Sequence, residues 1–84
     1  SYTDRLVRDP SLLSAKLAEE AVELAEATEA GDVAWEAADV FYFTLTTLAA
    51  RGVPLEAAIR ELDRRSRSVR RRDGSRVSEP ETEK

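Results

Sequence analysis

Residues 36–50 read EAADVFYFTLTTLAA, and this stretch decides the fold of the chain. Within it, residues 40–50 carry no charge and form the longest uncharged run of the sequence. A membrane span needs about 20 apolar residues, so the run is too short to cross a bilayer. A helix that is apolar nearly all round belongs at the centre of a helical assembly. Two acidic residues, Glu36 and Asp39, precede the run, and acidic side chains are unexpected on such a helix.

Helix start and stop signals lie on both sides of this stretch. Asp9 can cap a first helix over residues 10–30, which begins with a proline and ends at Gly31 in a left-handed cap. Asp32 can cap a second helix that runs to Arg51, with Gly52 as its stop. The two helices are predicted to form an antiparallel hairpin across the two-residue turn Gly31-Asp32.

The rest of the chain is predicted to contain one more helix. Apolar residues at helical spacing after Pro54 indicate a shorter helix to about Arg67. Residues 1–8 are interpreted as a polar loop, and residues 73–84 as a disordered polar tail. Residues 1–72 then form one all-α domain. A domain of this size buries only about 60% of its unfolded surface, so we expect subunits to assemble into a dimeric helical bundle.

Composition excludes several classes of chemistry. The 84 residues include no Cys and no His, so a disulfide framework, a Cys/His zinc site and a thiol nucleophile are excluded. Any catalysis must use carboxylates, hydroxyls, Lys or Arg. Residues 1–42 carry a net charge of −7 and residues 43–84 a net charge of +3, and the acidic half does not suit a nucleic-acid binder. The polar N-terminus has no apolar signal segment, so a cytoplasmic protein is expected.

Four acidic residues are predicted to converge in the hairpin. Glu20 falls in the middle of the apolar face of the first helix, with Glu23 on the flank of that face. Glu36 and Asp39 share an edge of the second helix, and the hairpin brings the two edges together. Oxygen ligands without imidazole or thiolate point to Mg²⁺, with Mn²⁺ as the alternative. The plainer interpretation is that acid pairs are common in a chain with 36% charged residues, and that Lys16 simply pairs with its neighbours.

These residues resemble the E-x-x-E, spacer, E-x-x-D signature of the all-α nucleoside triphosphate pyrophosphohydrolase superfamily, the MazG-like group. Around the signature the chain is similar to the phosphoribosyl-ATP pyrophosphohydrolase family of histidine biosynthesis. The matching segments are Ser1-Tyr2-Thr3, Arg5-Leu6, Lys16-Leu17-Ala18-Glu19-Glu20, Trp35-Glu36-Ala37-Ala38-Asp39-Val40, Tyr42 and Ala50-Arg51-Gly52-Val53. Phe43 and the basic ending at residues 68–72 look most like the form found in multifunctional fungal histidine enzymes.

The resemblance implies Mg²⁺-dependent hydrolysis of phosphoribosyl-ATP to phosphoribosyl-AMP and pyrophosphate by a homodimer. It also implies that the domain can be fused to, or associated with, phosphoribosyl-AMP cyclohydrolase. The matching positions give the metal ligands as Glu20, Glu23, Glu36 and Asp39. Glu19 and Glu20 are then the catalytic residues, with Glu19 orienting the attacking water, and Lys16 meets a phosphate. The polar segment before the first helix offers further substrate contacts at Tyr2, Thr3 and Arg5.

The sequence departs from the family in two respects. Many bacterial members have His where this chain has Phe43, so any role of that imidazole is absent. Members also usually carry a further helix before the segment that begins here at Ser1, so the chain is expected to be a domain that lacks this helix or does not need it.

Two other functions stay open at this point. The same four acids could serve a housecleaning pyrophosphatase that acts on ordinary or damaged nucleoside triphosphates. A non-catalytic helical dimerisation module is the alternative outside the enzymes, although it gives no account of Glu20 on an apolar face. The arginines of the C-terminal part either extend over the substrate or form a solvated helix end that complements its dipole; they are Arg64, Arg65, Arg67, Arg70, Arg71, Arg72 and Arg76.

Overall fold

Four helices make up the part of the chain that the structure describes. The computed structural model describes the backbone of residues 1–73 and the side chains of residues 1–68. The helices are α1 (Tyr2–Arg8), α2 (Pro10–Glu26), α3 (Ala30–Ala50) and α4 (Leu55–Asp73). No strand occurs among these residues, which confirms the all-α prediction. The helices divide into two compact units, one over residues 1–54 and one from Leu55 onward.

Helix α1 lies where the sequence predicted a polar loop, and that prediction was wrong. The Ser1 hydroxyl accepts a hydrogen bond from the backbone N–H of Asp4 at 3.2 Å and so caps the helix. Leu6 is completely buried, with 0% of its surface exposed. The other residues of the helix are exposed and mostly polar, so no apolar periodicity revealed the helix. A single buried leucine orders α1 because it packs on α2 and α3.

Asp9 joins α1 directly to α2. Its backbone N–H donates to the carbonyl of Leu6 at 3.3 Å, which closes α1. Its side-chain Oδ1 accepts from the backbone N–H of Leu12 at 3.2 Å, which caps α2, and Pro10 occupies the first position of that helix. The predicted start of the helix is therefore confirmed.

The connection between α2 and α3 comes earlier than predicted. Helix α2 ends at Glu26 rather than Ala30, and Ala27 and Glu29 are both extended, with ψ angles of 140° and 141°. The chain thus reverses over residues 27–29, and the predicted turn at Gly31-Asp32 and the predicted cap at Asp32 were wrong. Gly31 lies inside the first turn of α3 and does not have a positive φ. The reversal at residues 27–29 is made by extended residues and therefore does not need a glycine.

Gly52 ends α3 as predicted. Its φ angle is +71°, which favours glycine because it has no Cβ. The backbone N–H of Val53 donates to the carbonyl of Leu48 at 2.9 Å, and that of Gly52 donates to Ala49 at 3.1 Å. These two bonds form a Schellman motif, which satisfies carbonyls that would otherwise be left free at the helix end.

The core of the first unit lies where its three helices meet. Its buried apolar residues are Leu6, Leu13 and Phe43, one from each helix, and Leu12, Leu17 and Ala50 pack against them. Leu13 meets Phe43, and Glu20 lies with Glu36, so residues later in α2 face residues earlier in α3. This pairing confirms that α2 and α3 form an antiparallel hairpin.

Only one side of α3 is buried in the single chain. Phe43 has 5% of its surface exposed, whereas Trp35 and Phe41 have 71% and 66% exposed. The apolar run is therefore half core and half surface in one copy of the chain. None of the helices among the described residues combines the length and hydrophobicity that crossing a lipid bilayer requires.

Helix α4 extends beyond the predicted end at Arg67 to Asp73. Glu61 accepts from Arg64 at 2.5 Å and from Arg65 at 2.9 Å, and Asp63 pairs with Arg67. Such pairs at spacings of three and four residues support a helix that carries little apolar surface. They also show Arg64, Arg65 and Arg67 held along their own helix. The predicted tail from residue 74 onward lies outside the described residues.

The two glycines of the first unit should respond in opposite ways to alanine. Gly52→Ala should lower the free energy of unfolding by about 1 kcal/mol, because alanine is strained at positive φ. Gly31→Ala should raise it by about 0.5 kcal/mol, because alanine is the better helix former. A Cβ at either position has nothing within 4 Å, so neither change introduces a clash. Urea denaturation of both variants measures the difference, and equal shifts would contradict the assigned caps.

Candidate metal centre

The hairpin brings five acidic side chains from two helices into two groups that share one residue. Carboxylate oxygens of Glu20, Glu36 and Asp39 all lie within 4.8 Å of one another. Oxygens of Glu19, Glu20 and Glu23 form a second such group. Glu20 belongs to both groups, so it links the acids of α2 to those of α3. The residues that the sequence singled out as candidate ligands are thus close in space.

Helical spacing explains why these residues can meet. Glu20 and Glu23 are three residues apart on α2, and Glu36 and Asp39 are three residues apart on α3, so each pair lies on one helix edge. The antiparallel packing of α2 on α3 turns the two edges towards each other. Glu20 has only 7% of its surface exposed, as expected for an acid placed within an apolar face.

Two buried oxygens of the cluster have no hydrogen-bond partner in the part of the chain that the structure describes. They are Oε1 of Glu20 and Oε1 of Glu36. An unsatisfied buried polar group costs about 1–3 kcal/mol, and more when it is charged, so native structures rarely leave one without a ligand or water. Carboxylate oxygens are the ligands that Mg²⁺ and Mn²⁺ prefer. The residues present therefore fit a divalent cation of this class.

The electrostatics of the cluster oppose full ionisation. Burial, the neighbouring Glu36 carboxyl and the charges of Glu23 and Asp39 raise the pKa of Glu20 from 4.5 to about 7. Burial also raises the pKa of Glu23, and the charges of Glu36 and Glu19 add to the shift. A cation bound among these carboxylates would favour their ionised forms. Cation binding and proton release are therefore linked at this cluster.

Lys16 lies at one side of the acidic cluster. Its Nζ is 3.3 Å from Oε1 of Glu19 and 3.8 Å from Oε2 of Glu20, and 5.9 Å from the ring centre of Phe43. The pairing that the plainer interpretation proposed is therefore present. It gives Oε2 of Glu20 an ion-pair partner, but Oε1 of Glu20 has no partner among the described residues. The ion pairs alone consequently do not explain why this acid is buried.

The three residues predicted to bind substrate from the N-terminal segment all lie on α1 and are exposed: Tyr2, Thr3 and Arg5. Oγ1 of Thr3 is hydrogen-bonded to the hydroxyl of Tyr42 on α3 at 2.5 Å. Sequence reasoning did not find this pair. The one feature of the sequence that could have pointed to Tyr42 is its position three residues after Asp39 on the same helix.

An all-α hairpin that gathers E-x-x-E from one helix and E-x-x-D from the next defines the MazG-like superfamily. Within that class, the sequence profile described as phosphoribosyl-ATP pyrophosphohydrolase matches residues 1–66. The chain belongs to the phosphoribosyl-ATP pyrophosphohydrolase family.

Relatives from fungi and bacteria agree with this assignment. A histidine biosynthesis trifunctional protein of Kluyveromyces lactis is 50% identical over 74 residues, which are 88% of this chain and 9% of that protein. A histidine biosynthesis bifunctional protein of Schizosaccharomyces pombe is 50% identical over 74 residues, 88% of this chain and 18% of that protein. A phosphoribosyl-ATP pyrophosphatase of Methylobacterium nodulans is 47% identical over 70 residues, 79% of this chain and 65% of that protein. The chain thus spans about a tenth of the trifunctional relative's length, and no solved structure matches it significantly.

Glu20 should make stability depend on pH when divalent cations are chelated. Between pH 4.5 and about 7 the folded state holds a proton that the unfolded state has lost. The free energy of unfolding should therefore fall as pH rises through this range. Glu20→Gln should reduce that dependence to the part that Glu23 contributes, and it should give a higher Tm than the parent at pH 8. The exposed Glu26→Gln is the matched control, and thermal denaturation in EDTA is the measurement. A Glu20→Gln protein less stable at pH 8 would show that the buried charge is stabilising.

Proposed function

We propose that this chain hydrolyses phosphoribosyl-ATP between the α and β phosphates, giving phosphoribosyl-AMP and pyrophosphate, the second step of histidine biosynthesis. The observation that carries the proposal is the carboxylate cluster around the buried Glu20, in which two buried oxygens lack a partner among the described residues, found in a chain of this family. Hydrolysis of a phosphoric anhydride needs no covalent nucleophile. It therefore agrees with a sequence that has no Cys and no His.

Mg²⁺ is the proposed cofactor, with Mn²⁺ as the alternative. Glu20, Glu23, Glu36 and Asp39 would hold it, since they belong to two groups of close carboxylates that share Glu20, and a buried oxygen of Glu20 and one of Glu36 lack a partner among the described residues. When bound, the cation supplies charge for the phosphate oxygens and lowers the pKa of a water. The four residues contribute a ligand set of hard oxygens. Their mutual repulsion also favours occupancy by a cation.

Glu19 is the proposed residue that orients the attacking water. Its side chain is 52% exposed, yet one of its carboxylate oxygens lies within 4.8 Å of oxygens of Glu20 and Glu23. It therefore borders both solvent and the cluster. At that position its carboxylate can accept a hydrogen bond from a water, orient the water and take a proton from it. Lys16 holds Glu19 at 3.3 Å and so fixes the position of that carboxylate.

The substrate carries several phosphate groups, and the chain offers a few groups to bind them. Lys16 is the proposed phosphate contact because its ammonium lies beside the cluster while 29% of its side chain is exposed. Tyr2, Thr3 and Arg5 of α1 are the proposed contacts for the remaining polar groups of the substrate. They are exposed, and the core contact of Leu6 fixes α1 against α2 and α3.

The proposed working form is a homodimer in the cytoplasm. Two apolar side chains of α3 are largely exposed, Trp35 at 71% and Phe41 at 66%. They support assembly because burying apolar surface against a second copy is favourable. The fungal relatives are bifunctional and trifunctional histidine biosynthesis proteins, of which this chain covers a small part. Association with a phosphoribosyl-AMP cyclohydrolase, which would use the product, is accordingly part of the proposal.

Pyrophosphate release tests the proposed substrate directly. The chain should release pyrophosphate from phosphoribosyl-ATP in the presence of Mg²⁺, and release should stop in EDTA and return when Mg²⁺ is restored. ATP and dCTP at equal concentration should give much lower kcat/KM values. Faster turnover of dCTP or ATP than of phosphoribosyl-ATP would instead identify a housecleaning nucleoside triphosphate pyrophosphatase.

Asp39→Asn should separate the chemical role of the cluster from its structural role. Losing one anionic ligand should lower kcat/KM by about 10²-fold or more, because charge stabilisation in such a site is worth that much. Circular dichroism and Tm in EDTA should stay close to those of the parent. Asp32→Asn, an exposed change in the first turn of the same helix, is the matched control and should keep its activity. Equal activities of the two variants would contradict the proposed site.

A further inference from the structure

One hydrogen bond joins α1 to α3 through side chains. Oγ1 of Thr3 and the hydroxyl of Tyr42 are 2.5 Å apart, although the residues are 39 positions apart in sequence. Both side chains are at the surface, and Tyr42 has 36% of its surface exposed. By contrast, Thr46 and Thr47 use their hydroxyls to bond carbonyls of their own helix. The Thr3 and Tyr42 hydroxyls therefore make a contact that local structure does not require.

The bond holds the first turn of α1, which has no buried side chain. The helix has seven residues, and isolated helices of that length are unstable in water. Its one buried side chain is Leu6, which holds the second half of the helix in the core. The first turn has a local cap from Ser1 and the Thr3 bond to Tyr42. The hydroxyl pair is thus the polar tie that fixes this turn to the rest of the unit.

The first turn of α1 is bonded to the segment of α3 that carries the cluster residue Asp39. Tyr42 follows the cluster residue Asp39 by three positions on α3, so the two residues are about one helical turn apart along that helix. On the α2 side, Nζ of Lys16 lies 5.9 Å from the ring centre of Phe43, and the rings of Phe43 and Tyr42 are 5.0 Å apart. Through Tyr42, Thr3 is therefore joined to the part of α3 that carries Asp39 and contacts Lys16.

We propose that Tyr42 is a positioning residue: through Thr3 it holds the first turn of α1 beside Lys16, and this fixes the groups that bind the anionic part of the substrate. The inference deepens the proposed function and rests on it. Tyr42 acts on affinity because the hydroxyl pair orders a binding segment. It leaves the cluster acids, and hence the chemical step, unchanged.

Removing either hydroxyl tests this role through KM and kcat. Thr3→Val and Tyr42→Phe should each raise KM for phosphoribosyl-ATP about two- to tenfold, the range expected for one hydrogen bond, while kcat changes less than twofold. The double variant should be no worse than Thr3→Val alone, because Tyr42→Phe removes a bond that Thr3→Val has already removed. Thr3→Ser should restore the parent KM. Thr44→Val, an exposed threonine of α3 outside this pair, is the matched control.

Amide hydrogen exchange separates positioning from direct contact with substrate. Without substrate, residues 2–8 should exchange faster in Thr3→Val and in Tyr42→Phe, by similar factors, and at the parent rate in Thr44→Val. An unchanged KM in both variants, additive effects in the double variant, or unchanged exchange in α1 would each overturn the inference. A fall in kcat with constant KM would also overturn it.

The proposed function and this inference can fail separately. If the parent shows no turnover, titration calorimetry with phosphoribosyl-ATP replaces KM, and the same two- to tenfold weakening of Kd is expected. Turnover with a KM insensitive to both hydroxyls would retain the proposed function and reject the role of Tyr42. Binding that weakens without any turnover would retain Tyr42 and reject the reaction.

Discussion

The packing of a carboxylate, Glu20, between α2 and α3 is the constraint on which the rest of the first unit depends. Burying an ionised acid costs several kcal/mol unless a cation or strong donors compensate, and here one of its oxygens has no protein partner. Nζ of Lys16 lies 3.8 Å from Oε2, the other carboxylate oxygen of Glu20. The hairpin is therefore built around a carboxylate that the described residues satisfy only in part.

This arrangement leaves little room for an apolar core. The buried apolar residues are Leu6, Leu13 and Phe43, all at the end of the hairpin distant from the connection at residues 27–29. The middle of the helix interface, where further leucines would ordinarily pack, is occupied by the acids of the cluster. Apolar burial and ligand binding therefore divide the interface between them. Apolar burial stabilises one end of the interface. In the middle, stability depends on the groups that pair with the carboxylates, such as Lys16.

The sequence predicted the parts of the structure that depend on periodicity and on strong terminal signals. Asp9 before Pro10 predicts the start of α2, Gly52 predicts the end of α3, and Glu20 on an apolar face predicts a cluster of acids. The misplaced features have local causes. Gly31 suggested a turn, but the chain reverses with extended residues at 27–29 and needs no positive φ there. Helix α1 depends on the tertiary contact of Leu6, and the Thr3 bond to Tyr42 joins residues that no local pattern connects.

Asp9 shows where this fold can change in length and where it cannot. One residue closes α1 with its N–H, begins α2 with its side chain, and accepts a hydrogen bond from Leu13 with its carbonyl. An inserted residue would break this shared cap and change the angle at which α1 leaves α2. The connection at residues 27–29 carries no side-chain cap for α3 and has no such restriction. Insertions and deletions in related proteins should therefore accumulate at the tip of the hairpin, while the spacing between α1 and α2 stays constant through evolution.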